Sequence, residues 1–378
     1  MTDFNVSPFV VIWENTRACD LACRHCRAAA QPRRSQFELT TTEGFRLIDE
    51  IAAMKPKVFV ITGGDPLKRD DTYEMISYAK SKGLEPSLTP SATPLLTEEA
   101  VEKMKAHGLS RIAVSLDASS AVLHDDFRRV QGSFDITLRA IRAAKRLDIP
   151  VQVNTTVARR TIADLPRMVE VLDELGIVMW SVFFLVPTGR AKSSDLITPE
   201  EVEKLFGFLY DTSKRVRFSI RTTEAMHYRR YMLQRMCAER GVSIGALRDP
   251  ATGLIDASTL FLQHGPRTMP LGIEPGAVSR APRGVNEAKG FVFISHIGDV
   301  FPSGFLPLKS GNVKNESLAT IYRSSDLFVA LRDNRRLNGK CGRCEFRDLC
   351  GGSRARAWSM TGDVFASDPL CVYQPASA

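Results

Sequence analysis

Three cysteines within eight residues constrain this chain more than any other feature. The stretch Cys19-Asp20-Leu21-Ala22-Cys23-Arg24-His25-Cys26 separates them by three and then two residues. A closed zinc or iron–sulfur site takes four protein ligands. Here the local supply is three, so a [4Fe–4S] cluster bound at this loop keeps one iron without a protein ligand. That iron is open to a small chelating molecule. Three buried or zinc-bound cysteines are the competing reading, because a spacing becomes a site only when its structural context agrees.

The context is an alternation of strands and helices. Residues 8–15 (PFVVIWEN) read as a buried strand that runs into the cysteine loop. Residues 58–62 form a second apolar strand ending in Gly63-Gly64-Asp65-Pro66, and strands at 84–88, 111–117, 150–157 and 178–186 follow. Helices are expected over 41–52, 70–83, 97–107, 134–147, 165–175 and 199–212. The first is phased by Phe45, Ile48, Ile51 and Ala52 and capped by Thr41 or Thr42. Gly83, Gly108 and Gly176 stand where helices stop. Residues 125–129 read as a polar connection. Six β–α units with near-continuous apolar strands argue for a parallel sheet covered by helices. A doubly wound sheet and a barrel both satisfy that pattern.

Beyond the sixth unit, residues 216–221 read as a further strand and 223–239 as a helix. Residues 241–285, rich in Gly and Pro, read as a bridge over the site. Residues 290–295 and 299–302 form a hairpin through Gly298. Short helices are expected at 318–322 and 327–331. The last forty residues carry Cys341-Gly342-Arg343-Cys344, then Cys350-Gly351-Gly352, then Cys371. These four cysteines make a closed set that suits zinc or an iron–sulfur cluster equally well on geometry.

The chain has 378 residues, 44% of them apolar, enough for one large α/β domain and a smaller one. Its formal charge of +8 favours anionic partners, but the basic residues are dispersed, which argues against nucleic acid. No apolar run spans a membrane and no signal-peptide pattern opens the sequence, so a cytoplasmic location is expected. In that compartment the eight cysteines point to metal rather than disulfides. Cys237 stands apart from both clusters and reads as a packing residue.

The CxxxCxxC loop after an N-terminal strand resembles the radical SAM superfamily, and the C-terminal cysteines resemble part of its SPASM extension. The resemblance implies a partial (βα)6 radical SAM barrel with a smaller C-terminal auxiliary iron–sulfur domain, divided as 1–215, a bridging region 216–289, and 290–378. It implies that Cys19, Cys23 and Cys26 bind a [4Fe–4S] cluster whose fourth iron holds S-adenosylmethionine (SAM), which is reductively cleaved to a 5′-deoxyadenosyl radical. Gly63, Gly64, Asp65 and Pro66 resemble the family's GGEP turn, with Asp in place of Glu, and imply contacts to the SAM ammonium. Ser115, Asp117 and Asn154 stand where polar side chains meet the SAM carboxylate and ribose. Arg128 or Arg129 offers a planar fork for the carboxylate, and Arg129 is carried forward as the SAM contact. The turn 186–190 stands where adenine contacts lie.

Cys341, Cys344, Cys350 and Cys371 would bind one auxiliary [4Fe–4S] cluster. Where the full SPASM pattern has further cysteines, this chain has Arg354 and, in the hairpin region, Ser303. Two clusters in total are therefore expected. The stretches 13–19, 188–190 and 350–357 look most like maturases of alternative haem synthesis, which implies an oxidoreductase or lyase altering a tetrapyrrole side chain. A peptide maturase and a non-catalytic zinc protein are the alternatives. An electron donor such as flavodoxin or ferredoxin is the implied partner. His124, His227, His264 and His296 are weighed as axial ligands to a tetrapyrrole iron.

Overall fold

The computed structural model describes residues 3–256 and 284–375. Seven strands lie side by side in chain order: β1 (Val10–Thr16), β2 (Val58–Gly63), β3 (Pro86–Leu88), β4 (Arg111–Ser115), β5 (Val151–Val157), β6 (Met179–Phe184) and β7 (Ser219–Thr223). All neighbouring pairs among them are parallel. A doubly wound sheet reverses its strand order at a switch point. Here the order never reverses, and inward side chains of all the parallel strands line one common lumen. The arrangement is the partial barrel, not the open doubly wound sheet.

The strand β8 (Phe291–Ile294) pairs in parallel with β1, Val10 opposite Phe291, and β9 (Asp299–Phe301) folds back on it as the expected hairpin through Gly298. The short β10 (Gly311–Asn312) closes a ten-stranded sheet among the described residues. The boundary expected at 290 thus falls one residue before a strand of the barrel's own sheet. Much of the bridge expected at 241–285, and His264 with it, lies outside the described residues.

Alternation explains both faces. Val11, Trp13, Phe59, Ile61, Val153, Trp180 and Val182 point outward and are fully or almost fully buried under helices. The lumen-facing set is polar at its centre and includes Arg111, Ser115, Gln152, Asn154 and Ser181. The covering helices are α1 (Thr41–Ala53), α2 (Thr72–Ser81), α3 (Glu98–Ala106), α5 (Ser133–Arg146), α6 (Leu165–Leu175) and α7 (Pro199–Ser213). The cap of α1 is Thr40, not Thr41 or Thr42: it closes a reciprocal capping box with Glu43. Besides two helices near the C-terminal cysteines, Gly339–Arg343 and Arg354–Thr361, one helix within the barrel was not expected, α4 (Ala121–Arg128). Its pattern is inverted, with Val122 and Leu123 exposed while His124, Asp125 and Phe127 are buried. The expected helix at 223–239 shortens to α8 (Tyr228–Glu239).

Candidate functional site

The cysteine loop is clamped between two glycine turns. On one side, the Gly64 N–H donates to the Thr16 carbonyl (2.7 Å) and the Asp65 N–H to the Ala18 carbonyl (2.6 Å). A Cβ on Gly64 would stand 2.5 Å from the Ala18 carbonyl oxygen, and one on Gly63 2.7 Å from that of Thr16. On the other side, a Cβ on Gly189 would collide with the carbonyl oxygens of Cys26 and Arg27. The Arg190 N–H donates to the Cys26 carbonyl (3.0 Å), and its guanidinium reaches the carbonyls of Cys23 (2.9 Å) and Ala30 (3.1 Å). Both glycine turns therefore admit the backbone of the cysteine loop itself.

The helix α4 buttresses the same loop. Phe127 stacks on His25 at 4.3 Å between ring centroids, and its carbonyl accepts from the Arg24 N–H. Arg128 forks onto the Asp117 carboxylate (2.6 and 2.7 Å) and extends a third nitrogen to the Cys23 sulfur at 3.5 Å. Burial alone would raise the Asp117 carboxyl, yet Arg128 and the neighbouring His25 and His124 hold it below its usual range. Burial pushes the Cys19 thiol up to about 11 and raises Cys23 as well, against the pull of Arg128. Such thiols lose their protons when a metal takes them. Burial also draws His25 down to about 3.

The three cysteines open on a cavity of about 510 Å³ that runs through the barrel lumen. Gly63, Gly64, Ser115 and Asn154 line it; Asp65, Pro66, Asp117 and Arg129 do not. Asp65 turns inward instead, accepting from Thr93 Oγ1 (2.7 Å) and from the N–H groups of Leu67 and Ser91. Asp117 stands behind Arg128. Arg129 is exposed, in the left-handed conformation that ends α4 (φ 60°), and does not reach the cavity, whereas Arg128 lines it with its fork on Asp117.

Cys341, Cys344, Cys350 and Cys371 line a second, small cavity with Gly351, Gly352, His227, Arg230 and Asp368. The Gly352 N–H donates to the Cys350 sulfur (3.3 Å), and a side chain at Gly352 would stand 3.5 Å from the Cys341 sulfur. Burial pushes the Cys344 thiol up to about 12. Four sulfurs around one enclosed volume, a backbone donor and glycines that keep it open fit a cluster ligated wholly by protein. Arg354, at a position expected to be cysteine in the full pattern, is buried and donates to the carbonyls of Val364 and Ala366.

Sequence reasoning missed several residues at the junction of the two sites. Glu224 and Glu287 are both buried and both line the large cavity. The wholly buried Arg356 pairs with Asp368 (3.1 Å) and reaches the barrel carbonyls of Phe184, Leu185 and Glu224. Its helix, Arg354–Thr361, reads RARAWSMT and buries Arg354 to Ala357 rather than the larger apolar Trp358 and Met360, so the sequence does not announce the buried arginines. His124 lines the large cavity with its Nδ1 accepting from the Asp117 N–H, and His296 lies 3.4 Å from Glu14.

Residues 13–172 match the profile of the Radical SAM superfamily, and residues 287–345 that of SPASM, an iron–sulfur cluster-binding domain. An AdoMet-dependent heme synthase of Methanosarcina barkeri is 37% identical over 369 residues, 98% of this chain and 97% of the relative. One of Nitratidesulfovibrio vulgaris is 39% identical, over 97% of this chain and 92% of the relative. Among solved structures, Streptococcus suis SuiB bound to S-adenosylmethionine shares the fold at a TM-score of 0.71 and 16% identity, covering 97% of this chain and 78% of that one. With its three-cysteine loop, its four-cysteine set and this whole-chain likeness, the protein belongs to the radical SAM superfamily, among the SPASM-bearing enzymes of the haem-maturation type.

Proposed function

We propose that this enzyme converts propionate side chains of an iron tetrapyrrole to vinyl groups. The observation that carries the reading is the lining of the large cavity between the two cysteine sites. Six arginines face it (Arg27, Arg111, Arg128, Arg190, Arg221 and Arg229) against the carboxyl side chains of Glu224 and Glu287, and Glu14 and Asp117 pair with two of them, Arg27 and Arg128, which leaves an excess of positive charge. A basic lumen with apolar walls suits a flat apolar ligand that carries several carboxylates. The whole-chain relatives named as heme synthases support the same substrate class.

Each conversion removes one hydrogen atom, one carbon dioxide and one electron. Bound SAM supplies the radical that takes the hydrogen atom, and the iron–sulfur groups supply the electron transfer. The chain's own work is to hold and exclude. Gly63, Gly64, Ser115 and Asn154 bound the SAM side of the lumen. Phe183, Phe293 and Phe305 line it with apolar surface. A flavodoxin- or ferredoxin-like electron donor and a cytoplasmic setting, which keeps the thiols reduced, belong to the same proposal.

The test is direct. Anaerobically reconstituted protein is incubated with SAM, a reductant and iron coproporphyrin III, and products are read by mass spectrometry. Successive losses of a carboxyl group together with 5′-deoxyadenosine are expected. SAM cleavage with iron coproporphyrin III left unaltered would refute the proposal and turn attention to a peptide substrate.

A further inference from the structure

Arg111 opens β4 at the foot of the barrel, and its side chain lines the lumen. Four of the other cavity arginines make contacts that hold them in the wall. Arg27 pairs with Glu14 and Arg128 with Asp117, while Arg229 donates to backbone carbonyls and Arg190 does so through Nε and Nη1, clamping the cysteine loop and keeping only Nη2 without a partner. Arg111 instead donates only to a neutral group, Gln152 Oε1, at 3.3 Å. No carboxylate stands beside it among the described residues, and burial alone acts on it, drawing it down to about 10. A half-buried guanidinium that faces a cavity without a counter-charge is free to take an anion.

Gln152 fixes the geometry. Its Oε1 accepts from Arg111, so its Nε2 must donate, and it does so to Asn154 Oδ1 at 2.7 Å. That leaves the Asn154 amide N–H groups to serve the SAM side of the lumen. Arg111, Gln152 and Asn154 thus form a polar ladder up the inside of β4 and β5, where Ala113 faces Gln152 and Ser115 faces Asn154. From Arg111 to Ser115 the strand rises about 13 Å, so the foot of the ladder is remote from the top of the strand.

We propose that Arg111, oriented by Gln152, is a carboxylate-binding subsite that anchors a non-reacting propionate of the substrate while another is presented at the top of the lumen. The inference rests on the tetrapyrrole reading above. A guanidinium binds a carboxylate through two parallel hydrogen bonds that an ammonium cannot reproduce. The subsite therefore sets substrate orientation as well as affinity.

The experiment titrates the anaerobically reconstituted protein with iron coproporphyrin III, followed by the visible absorption of the porphyrin. Wild type, Arg111→Gln and Arg111→Lys are compared, and SAM affinity is measured on the same samples. Arg111→Gln should weaken porphyrin binding tenfold or more, Arg111→Lys should fall between, and the tetramethyl ester should not distinguish wild type from Arg111→Gln. Melting temperatures close to wild type for both variants show that folding is intact, and Arg111→Lys keeps the charge if Arg111→Gln does not fold. Wild type that binds iron coproporphyrin III no better than Arg111→Gln overturns the subsite alone. Wild type that fails to bind it at all overturns the tetrapyrrole reading and the subsite with it. A loss of SAM affinity in Arg111→Gln, with porphyrin affinity unchanged, assigns the carboxylate to SAM and also overturns the proposal.

Discussion

Arg128 and Arg129 are neighbours in the chain with opposite environments. Arg128 is wedged between Asp117 and Cys23, while Arg129 ends its helix in solvent. Arg128→Ala leaves the Asp117 carboxylate buried and unpaired, and should cost about 3–5 kcal/mol. Arg129→Ala should stay within about 0.5 kcal/mol of wild type. Chemical denaturation of the two variants reads the difference; equal costs would put the fork at the wrong residue. The buried acids also set opposite pH dependences. Asp117 is held below its usual 3.8, so its contribution to stability is present above that value and is lost as pH falls through its folded pKa. Glu224 goes the other way: burial and the facing Glu287 hold its carboxyl well above 4.5, so stability is lost as pH rises through the raised value. Glu224→Gln removes that titration. It should melt at a higher temperature than wild type at alkaline pH and lose the advantage in mild acid, as thermal unfolding across pH would show.

At the scale of elements, the site depends on two turns that admit another backbone. Gly64→Ala and Gly189→Ala each drive a Cβ into carbonyl oxygens of the cysteine loop, which must then move. Both variants should fail to hold the SAM-side cluster, visible as lost iron and lost charge-transfer absorption. Gly83 is the control: it also has a positive φ (78°), but nothing lies within 4 Å of a Cβ there. Gly83→Ala should cost only about 1–2 kcal/mol of backbone strain and leave the cluster intact. The Gly63-Gly64 turn was legible because it follows an apolar strand, and the six β–α units were legible because their helices keep a clean apolar phase. The helix α4 was not, because its buried side is His124, Asp125 and Phe127 while Val122 and Leu123 face solvent. Polarity there serves the cysteine loop rather than a core. Glu224 and Glu287 were hidden for a related reason: they are 63 positions apart, and only the return of β8 to β1 brings their segments to one wall. The cysteines were the easiest to read, since their spacing is local within each cluster.

At the scale of the whole molecule, the two cysteine sites belong to one framework. The sheet continues from β7 through β1 to β10, and Arg356 ties the C-terminal helix to the ends of β6 and β7. The sites nevertheless differ in what they leave open. The three-cysteine loop faces the lumen, whereas the four-cysteine set closes on its own small cavity. That difference divides the labour. Replacing Cys19, Cys23 or Cys26 with Ala removes a ligand from the proposed SAM site, so reductive cleavage of SAM should be abolished. Replacing Cys341 or Cys344 leaves the lumen and its three thiols in place. Such variants should still form 5′-deoxyadenosine slowly when reduced, yet yield no decarboxylated tetrapyrrole, because the electron released with each carbon dioxide then lacks its acceptor. Iron and sulfide analysis supplies the check: about eight of each in wild type, falling to about four in either set of variants. Retained SAM cleavage in the first set, or product from the second, would show that the division is wrong. A second set that loses all iron would mean instead that the auxiliary site holds the barrel together, and circular dichroism of the apoprotein distinguishes that outcome from a purely electronic role.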